Sequence, residues 1–273
     1  MSKINKIVRI GVVGCGAIGR GVSLFIDKKL KKFASVYALA DKDVIAAKRL
    51  QSKLHSRAFI YDIDTLVKKV DLVIETASVE AAQKILKKIL FYKKDTIILS
   101  VGALINNLDL LEKAKKKNIK IYIPSGAICG VDGIGALSMG VIKKIYLITS
   151  KPPRGLMGAS YLQKKRINLS NLKKEKIIFT GGVKEAIKYF PKNINVAATL
   201  LLASSSANIR VCIKADPRIK SNIHRIILKS KEANLNINIE NIPSKTNPKT
   251  SALTVLSTQY LLKSIFSPFK IGS

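Results

Sequence analysis

Buried strands alternate with helical patterns over the first 124 residues of the chain. Continuous runs of β-branched residues, such as those at 7–13 and 71–75, are typical of strands that are covered on both faces. Amphipathic helical patterns, such as those at 79–90 and 108–117, separate the runs. Alternating units of this kind predict an α/β fold with a doubly wound parallel sheet. We therefore predict an N-terminal Rossmann domain over residues 1–124.

A glycine-rich segment, GCGAIG at residues 14–19, directly follows the first of these strands. In a GxGxxG turn, the first glycine allows a tight bend, the second lets the backbone approach a pyrophosphate, and the third lets helix and strand pack closely. Asp41 ends the second strand roughly 20 residues past Gly19, where a carboxylate binds the adenosine ribose. Asp41 favours NAD, while Lys42 and Lys48 leave NADP open. The predicted cofactor-binding residues of this segment are Gly14, Gly16, Ala17, Ile18, Gly19 and Asp41.

The pattern changes at Pro124, where a loop rich in glycine and small residues begins and extends to residue 133. Strand-like runs then recur at 143–150, 207–213 and 223–228. They predict a second α+β domain over residues 125–240, with a mostly antiparallel open sheet. Apolar residues at helical spacing in 251–266 predict an amphipathic helix, so we expect residues 241–273 to return to the Rossmann domain. An open sheet leaves apolar side chains in water, which favours a homodimer.

Several polar residues of the second domain are candidates for chemistry. His224 shares a predicted strand face with Asn222, and an imidazole suits proton transfer, although a buried structural histidine is the alternative. Asn195 begins a predicted helix and fits either a helix cap or a ligand of the nicotinamide. Residues 125–128 follow the last Rossmann strand, where backbone amides can meet a ligand. Lys151 is a candidate anchor for an anionic substrate.

Charge, cysteine content and hydropathy bear on three other possibilities: nucleic-acid binding, a metal site and a membrane span. The chain has 49 Lys and Arg against 17 Asp and Glu, a formal net charge of +32, which attracts polyanions. Most of these residues are lysines on predicted helix faces, and aromatics make only 6%, so nucleic-acid binding is the weaker interpretation. The three cysteines lack metal-ligand spacing, which predicts no metal site and fits a reducing cytoplasm. No apolar run approaches the roughly 20 residues that a membrane span needs.

Taken together, these segments resemble the L-aspartate dehydrogenase family over nearly the whole chain. The resemblance rests on residues 14–19, 124–133, 149–153, 190–198, 216–224, 241–244 and 247–251. It implies that His224 is the catalytic histidine and that Ala127 and Asn195 contact NAD. Arg225 stands where the family usually has an acidic residue. We expect the pH profile of activity to show a limb near the pKa of His224. If the two side chains are close, Arg225 is expected to lower this pKa through like-charge repulsion.

The resemblance also implies a reaction. L-aspartate would be deaminated oxidatively to oxaloacetate and ammonia through iminoaspartate, with NAD or NADP, or the reverse amination would occur. In this family iminoaspartate can supply NAD biosynthesis. Two substrate carboxylates need cationic or N–H donors, so the candidate substrate contacts are Ser125, Gly126, Lys151 and Asn222. The alternatives are a reductase of the homoserine dehydrogenase or dihydrodipicolinate reductase type and a non-catalytic NAD-binding module.

Overall fold

A computed structural model describes residues 7–105, 107–190, 195–206, 208–244 and 247–271. The chain divides into two compact units. Unit 1 comprises Met1–Pro124 with Thr254–Lys270, and unit 2 comprises Ser125–Leu253 with Ile271–Ser273. Unit 1 is therefore built from two separate stretches of sequence.

Unit 1 contains a six-stranded parallel sheet in the order β3-β2-β1-β4-β5-β6. Its strands are β1 Val8–Val13, β2 Ala34–Ala40, β3 Phe59–Ile60, β4 Leu72–Glu75, β5 Asp95–Ile98 and β6 Ile121–Tyr122. Its first six helices are α1 Ala17–Lys29, α2 Val44–Gln51, α3 Ile63–Lys69, α4 Val79–Tyr92, α5 Gly102–Ile105 and α6 Leu108–Lys116. The strand order reverses between β1 and β4, and ligands of such sheets bind beyond the strand ends at this point.

The helices of unit 1 begin in two different ways. Asp43, Asp62 and Ser78 accept hydrogen bonds from backbone N–H groups of the first turns of α2, α3 and α4. Side-chain caps of this kind satisfy the donors that a helix leaves free at its start. By contrast, α1 begins after Gly16, which has no side chain to cap it. The first N–H groups of α1 therefore stay available to a ligand.

A further helix, α11 Ala252–Phe266, completes the core of unit 1. Leu262 is fully buried among side chains of the parallel sheet and α1. The Gln259 side chain donates a hydrogen bond of 3.0 Å to the carbonyl of Gly21 on α1. Phe266 stacks on Phe33, with ring centroids 6.3 Å apart. The helix expected over 251–266 therefore packs on the Rossmann fold.

Unit 2 contains a five-stranded sheet in the order β11-β10-β7-β9-β8. Its strands are β7 Ile142–Lys151, β8 Lys176–Gly182, β9 Ile209–Ala215, β10 Asn222–Ser230 and β11 Asn234–Asn241, followed by the hairpin of β12 Pro243–Ser244 and β13 Asn247–Ser251. Its helices are α7 Val131–Leu137, α8 Ser160–Lys164, α9 Val183–Tyr189 and α10 Asn195–Ser204. Three of the four pairings in the five-stranded sheet are antiparallel, and β7 pairs with β9 in parallel. The predicted fold class is confirmed for both units.

Two boundaries differ from the expectations. Residues 241–253 belong to unit 2 rather than to the returning segment, because Asn241 ends β11 and the next residues form the β12–β13 hairpin. The loop expected over 124–133 ends early, since α7 begins at Val131. The buried core of unit 2 lies on one face of its five-stranded sheet and includes Ile145, Leu147 and Ile226.

Candidate active site

The turn after β1 has the geometry that a dinucleotide requires. Gly14 has a φ of +96°, and a Cβ there would lie 2.7 Å from the backbone of Thr76. A Cβ at Gly19 would lie 1.8 Å from the Gly14 carbonyl oxygen. A Cβ at Gly16 would meet nothing within 4 Å, so open space faces the start of α1. Ala17 and Ile18 form the first turn of that helix.

A cavity of about 770 Å³ lies in unit 1 beside this turn. It is lined by residues of the β1, β2, β3 and β4 ends, including Gly14, Gly16, Asp41, Tyr61 and Ala77. The Asp41 carboxylate accepts hydrogen bonds from the N–H of Cys15 at 2.6 Å and of Asp43 at 2.9 Å. Three of the six predicted residues of unit 1, Gly14, Gly16 and Asp41, therefore line one cavity, and Ala17, Ile18 and Gly19 form the start of the helix that follows Gly16. An uncapped helix start, an open glycine and a nearby carboxylate fit a nicotinamide dinucleotide.

A buried carboxylate, missed in the sequence analysis, joins the ends of β4 and β5. Glu75 is fully buried, and its oxygens accept hydrogen bonds from the N–H of Ala77 at 2.8 Å, of Ser100 at 2.9 Å and of Leu99 at 3.3 Å. The Ser100 hydroxyl donates a fourth bond of 2.8 Å. Burial raises the pKa of Glu75, although these bonds oppose the rise. Glu75 thus connects the loops at the switch-point edge of the sheet.

In unit 2, His224 lies on the covered face of the sheet, paired in register with Thr149 on β7. His224 is 3% exposed, and its Nδ1 lies 3.0 Å from the Thr149 hydroxyl oxygen. Burial, with a smaller contribution from the charge of Lys151, lowers the pKa of His224 to about 3. The ordinary histidine pKa expected from the sequence is therefore wrong for this site. Arg225 is exposed and is not a cause of the shift.

Lys151 ends β7 two residues beyond Thr149, and only 8% of its surface is exposed. Burial lowers the pKa of Lys151 to about 8. Asn222 begins β10 two residues before His224, so the strand alternation places the two on one face. The structure thus brings Lys151, Asn222 and His224 to the same end of the unit 2 sheet.

An asparagine connects the loop of residues 125–130 to this sheet end. Asn241 is 3% exposed and pairs in register with Asn222. Its side-chain amide donates a hydrogen bond of 3.0 Å to the Ala127 carbonyl, and its side-chain oxygen accepts one from the Ser251 hydroxyl. Gly126 adopts a φ of +68° in the same loop. This bond holds Ala127, which directly follows Ser125 and Gly126, at the end of the sheet that carries His224.

Asn195 is the first residue of α10, and its side chain is exposed. Helix α10 packs against α7, which follows the loop of Ala127 in the chain. Residues 191–194, which were expected to lead into this helix, lie outside the described residues.

The described residues contain no group of three or more His, Cys, Asp or Glu side chains that could hold a metal ion. They also contain no helix that is long and apolar enough to cross a membrane.

Comparisons with known proteins agree with this geometry. A family model described as "Aspartate dehydrogenase, C-terminal" matches residues 132–265, and one described as "Homoserine dehydrogenase, NAD binding domain" matches residues 14–124. The L-aspartate dehydrogenase of Methanosarcina acetivorans is 41% identical over 271 residues, which cover 97% of this chain and 100% of that relative. The chain belongs to the L-aspartate dehydrogenase family.

Further relatives of the L-aspartate dehydrogenase family support the assignment. The L-aspartate dehydrogenase of Methanocaldococcus jannaschii is 41% identical over 274 residues, covering 97% of this chain and 100% of that one. The crystal structure of aspartate dehydrogenase from Thermotoga maritima superposes with a TM-score of 0.76 at 28% identity, covering 97% of this chain and 99% of that one. The resemblance stated from the sequence is confirmed. The match over residues 132–265 favours it over the homoserine dehydrogenase alternative.

Proposed function

We propose that this protein catalyses the oxidative deamination of L-aspartate to oxaloacetate and ammonia, or the reverse amination, with a nicotinamide dinucleotide. Full-length similarity to L-aspartate dehydrogenases supports the substrate. The observation that carries the chemistry is the cluster of Lys151, Asn222 and His224 at one end of the unit 2 sheet. A buried imidazole beside a cation and an amide suits a dicarboxylate whose α-amine is oxidised. The iminoaspartate formed would supply NAD biosynthesis.

His224 acts in this proposal as a neutral imidazole, because its pKa of about 3 keeps it unprotonated at neutral pH. In the tautomer that we propose, Nδ1–H donates to the Thr149 hydroxyl, whose oxygen lies 3.0 Å from Nδ1, and the Nε2 lone pair accepts the proton. That proton comes from the water that adds to the imine carbon of iminoaspartate. The substrate carboxylates bind to the Asn222 amide, the Lys151 side chain and the N–H groups of Ser125 and Gly126.

The cofactor binds across the turn after β1, with its pyrophosphate at the start of α1 and its adenosine ribose at Asp41. When bound, the nicotinamide accepts the hydride that leaves the substrate Cα. We propose that the Asp41 charge favours NAD over NADP, because a carboxylate repels a 2′-phosphate. Lys42, which lines the same cavity, reduces this preference without reversing it. Ala127 and Asn195 are proposed as further cofactor contacts, as the resemblance implies.

We also propose a homodimer formed through the outer face of the unit 2 sheet. This face carries Tyr146, Ile148 and Ile227, which lie between the buried positions of β7 and β10. Pairing two such faces removes apolar side chains from water. Light scattering should then give twice the chain mass of 29.9 kDa, and a monomer at micromolar concentration would contradict the proposal.

A cytoplasmic location is proposed from the cysteines. Cys15, Cys129 and Cys212 are all free thiols in the structure. Free thiols persist in reducing compartments. Fractionation of the native cells, followed by detection of the protein in the soluble cytoplasmic fraction, would test this location.

The decisive experiment measures NADH formation with L-aspartate beside homoserine, L-alanine and L-glutamate. L-aspartate should be oxidised most efficiently, whereas turnover of homoserine alone would contradict the proposal. Changing His224→Ala should lower kcat by roughly 10² to 10⁴, the usual contribution of general acid–base catalysis, with NADH binding near wild type. The exposed His55 is the matched control, and His55→Ala should change little. NADH binding without turnover of any substrate would instead support a non-catalytic NAD-binding module.

A further inference from the structure

Lys151 is a largely buried residue, with 8% of its surface exposed. Among the described residues, no hydrogen bond or ion pair reaches its Nζ. Gly155 packs against its aliphatic stem, since a Cβ at Gly155 would lie 3.8 Å from the Lys151 Cβ. A lysine is almost never this buried unless it is paired. Burial of Lys151 therefore costs desolvation free energy, and no contact within the described fold offsets it.

Asp216, an acidic residue whose backbone contacts Lys151, is already paired with another cation. Asp216 follows β9, and its N–H donates to the Lys151 carbonyl at 2.9 Å. Its carboxylate accepts bonds from the Arg218 side chain at 2.9 and 2.8 Å and from the Arg218 N–H at 3.0 Å. The fold thus pairs Asp216 with a surface arginine, and Lys151 has no acidic partner within the part of the chain that the structure describes.

Few charged or titratable groups face Lys151 from the elements around it. His224 is the group on β10, and its pKa of about 3 keeps it neutral. Arg154, in the turn after β7, is exposed, and Asp216 is the group next to β9. Lys214 on β9 forms its ion pair with Glu175. Burial is accordingly the cause that lowers the pKa of Lys151, to about 8.

We propose that Lys151 is a catalytic residue that takes the proton from the α-ammonium group of the substrate before hydride transfer. The inference rests on the proposed function, because it places L-aspartate at the end of the sheet that carries His224. It assigns to Lys151 more than a cation for the substrate carboxylates. It also divides the proton transfers between two residues, Lys151 for the amine and His224 for the added water.

The proton balance of the step is simple. The neutral Lys151 amine accepts one proton from the substrate ammonium, which gives a lysine ammonium and a neutral α-amine. The amine lone pair then forms the C=N bond as the Cα–H electron pair leaves as hydride to the cofactor. The new lysine charge lies beside the two substrate carboxylates, so the transfer also creates the cation that holds them. A neutral amine is needed because an ammonium group has no lone pair to expel the hydride.

The test compares Lys151→Arg with wild type in kcat, KM and pH profile. Arginine keeps a cation but does not release its proton in this pH range. With L-aspartate, wild-type kcat/KM should rise with pH and level off near the Lys151 pKa of about 8. In Lys151→Arg, kcat should fall roughly 10² to 10⁴-fold with KM changed little, and the rising limb should disappear. Lys143→Arg, an exposed position on the same strand, is the matched control and should behave as wild type.

Chemical rescue separates proton transfer from a structural role. Lys151→Ala should regain part of its kcat when small primary amines are added, and the regained rate should follow the basicity of the amine. NADH titration by fluorescence should give wild-type affinity for each variant, which shows that the variants are folded. Absence of rescue in a variant that binds NADH normally would count against the proposal.

Two kinetic outcomes would overturn it. A raised KM with unchanged kcat in Lys151→Arg would leave Lys151 as a carboxylate anchor only. Loss of the pH limb in His224→Ala but not in Lys151→Arg would assign the titration to the histidine. Either result leaves the proposed function in place, whereas a wild-type protein that does not oxidise L-aspartate would refute that function instead.

Discussion

Replacing Gly16 with alanine should weaken dinucleotide binding without unfolding the protein. Gly16 has a φ of −69°, which alanine adopts readily, and a Cβ there meets nothing within 4 Å. Only a ligand approaching the start of α1 would meet the new methyl group. Gly16→Ala therefore isolates the approach of the pyrophosphate from the packing of the turn.

The expected loss of affinity follows from the bond that the methyl group obstructs. A hydrogen bond to a charged phosphate contributes about 1.5 to 3 kcal/mol, so losing one should raise the Kd for NADH roughly 10- to 150-fold. Two opposite effects on the free energy of unfolding should nearly cancel. Alanine is a poorer helix cap than glycine, which destabilises the folded state. Alanine also reduces the entropy of the unfolded chain, which stabilises the protein by about 0.4 to 1 kcal/mol.

Gly19→Ala is the contrasting variant. Its Cβ would lie 1.8 Å from the Gly14 carbonyl oxygen and 2.8 Å from the Thr76 hydroxyl, so the backbone itself has to move. Overpacking of this kind costs about 1 to 3 kcal/mol. At about 2 to 4 °C per kcal/mol for a domain of roughly this size, Tm should fall by roughly 2 to 12 °C.

The assay combines circular-dichroism melting of the unliganded proteins with fluorescence titration of NADH. Gly16→Ala should melt within a few degrees of wild type and bind NADH weakly, and Gly19→Ala should melt early. NADH binding by Gly16→Ala as tight as by wild type would contradict a close approach of the pyrophosphate to Gly16. Melting of Gly19→Ala at the wild-type temperature would show that the 1.8 Å approach is relieved without cost.

Three further substitutions test other parts of the site. Asp41→Asn removes the charge that we propose repels a 2′-phosphate while keeping an oxygen acceptor, so the ratio of kcat/KM for NADP to that for NAD should rise about tenfold. Glu75→Gln should lower the free energy of unfolding, measured in urea at neutral pH, by about 1 to 3 kcal/mol. The Ser100 N–H and hydroxyl bind two different oxygens of Glu75, and glutamine has only one side-chain oxygen to accept these bonds. The pKa of Glu75 is raised in the folded state, so the folded state binds the proton more tightly than the unfolded state does. The contribution of Glu75 to the free energy of unfolding therefore falls as the pH rises above its ordinary pKa of 4.5. Glutamine does not titrate, so the variant should lose this pH dependence. Asn241→Asp removes the bond donated to the Ala127 carbonyl at 3.0 Å, and limited proteolysis should cut the loop of Ala127 faster than in wild type.

The Rossmann unit was predictable because its signals are local. Parallel strands covered on both faces are continuous β-branched runs, and the turn of residues 14–19 carries its glycines at fixed spacing. Strand β3 was not predicted, because its two residues are too few to show a periodicity. Glu75 was not predicted either, since a carboxylate at the end of a strand gives no sign in the sequence that the fold will bury it.

Unit 2 was predictable in class but less so in detail. Helix α7 was not predicted because it contains Gly133 and Gly135, and glycine is a poor helix former. The pairing of Asn222 and His224 on one face followed from strand alternation. The low pKa of His224 could not be predicted from strand alternation, because it depends on burial by elements that are distant in the chain. Lysine usually indicates an exposed position, so the burial of Lys151 could not be read from its residue type.

The placement of α11 has a consequence for synthesis on the ribosome. Leu262 fills the core beneath the parallel sheet, yet it is translated only after residues 125–253 have all been made. Translation of the nucleotide-binding half therefore starts first, but its core is completed only after residues 125–253, from which the half that carries His224 builds its own core. A nascent chain stalled before Leu262 should expose an unfilled apolar groove, which is the kind of surface that chaperones recognise.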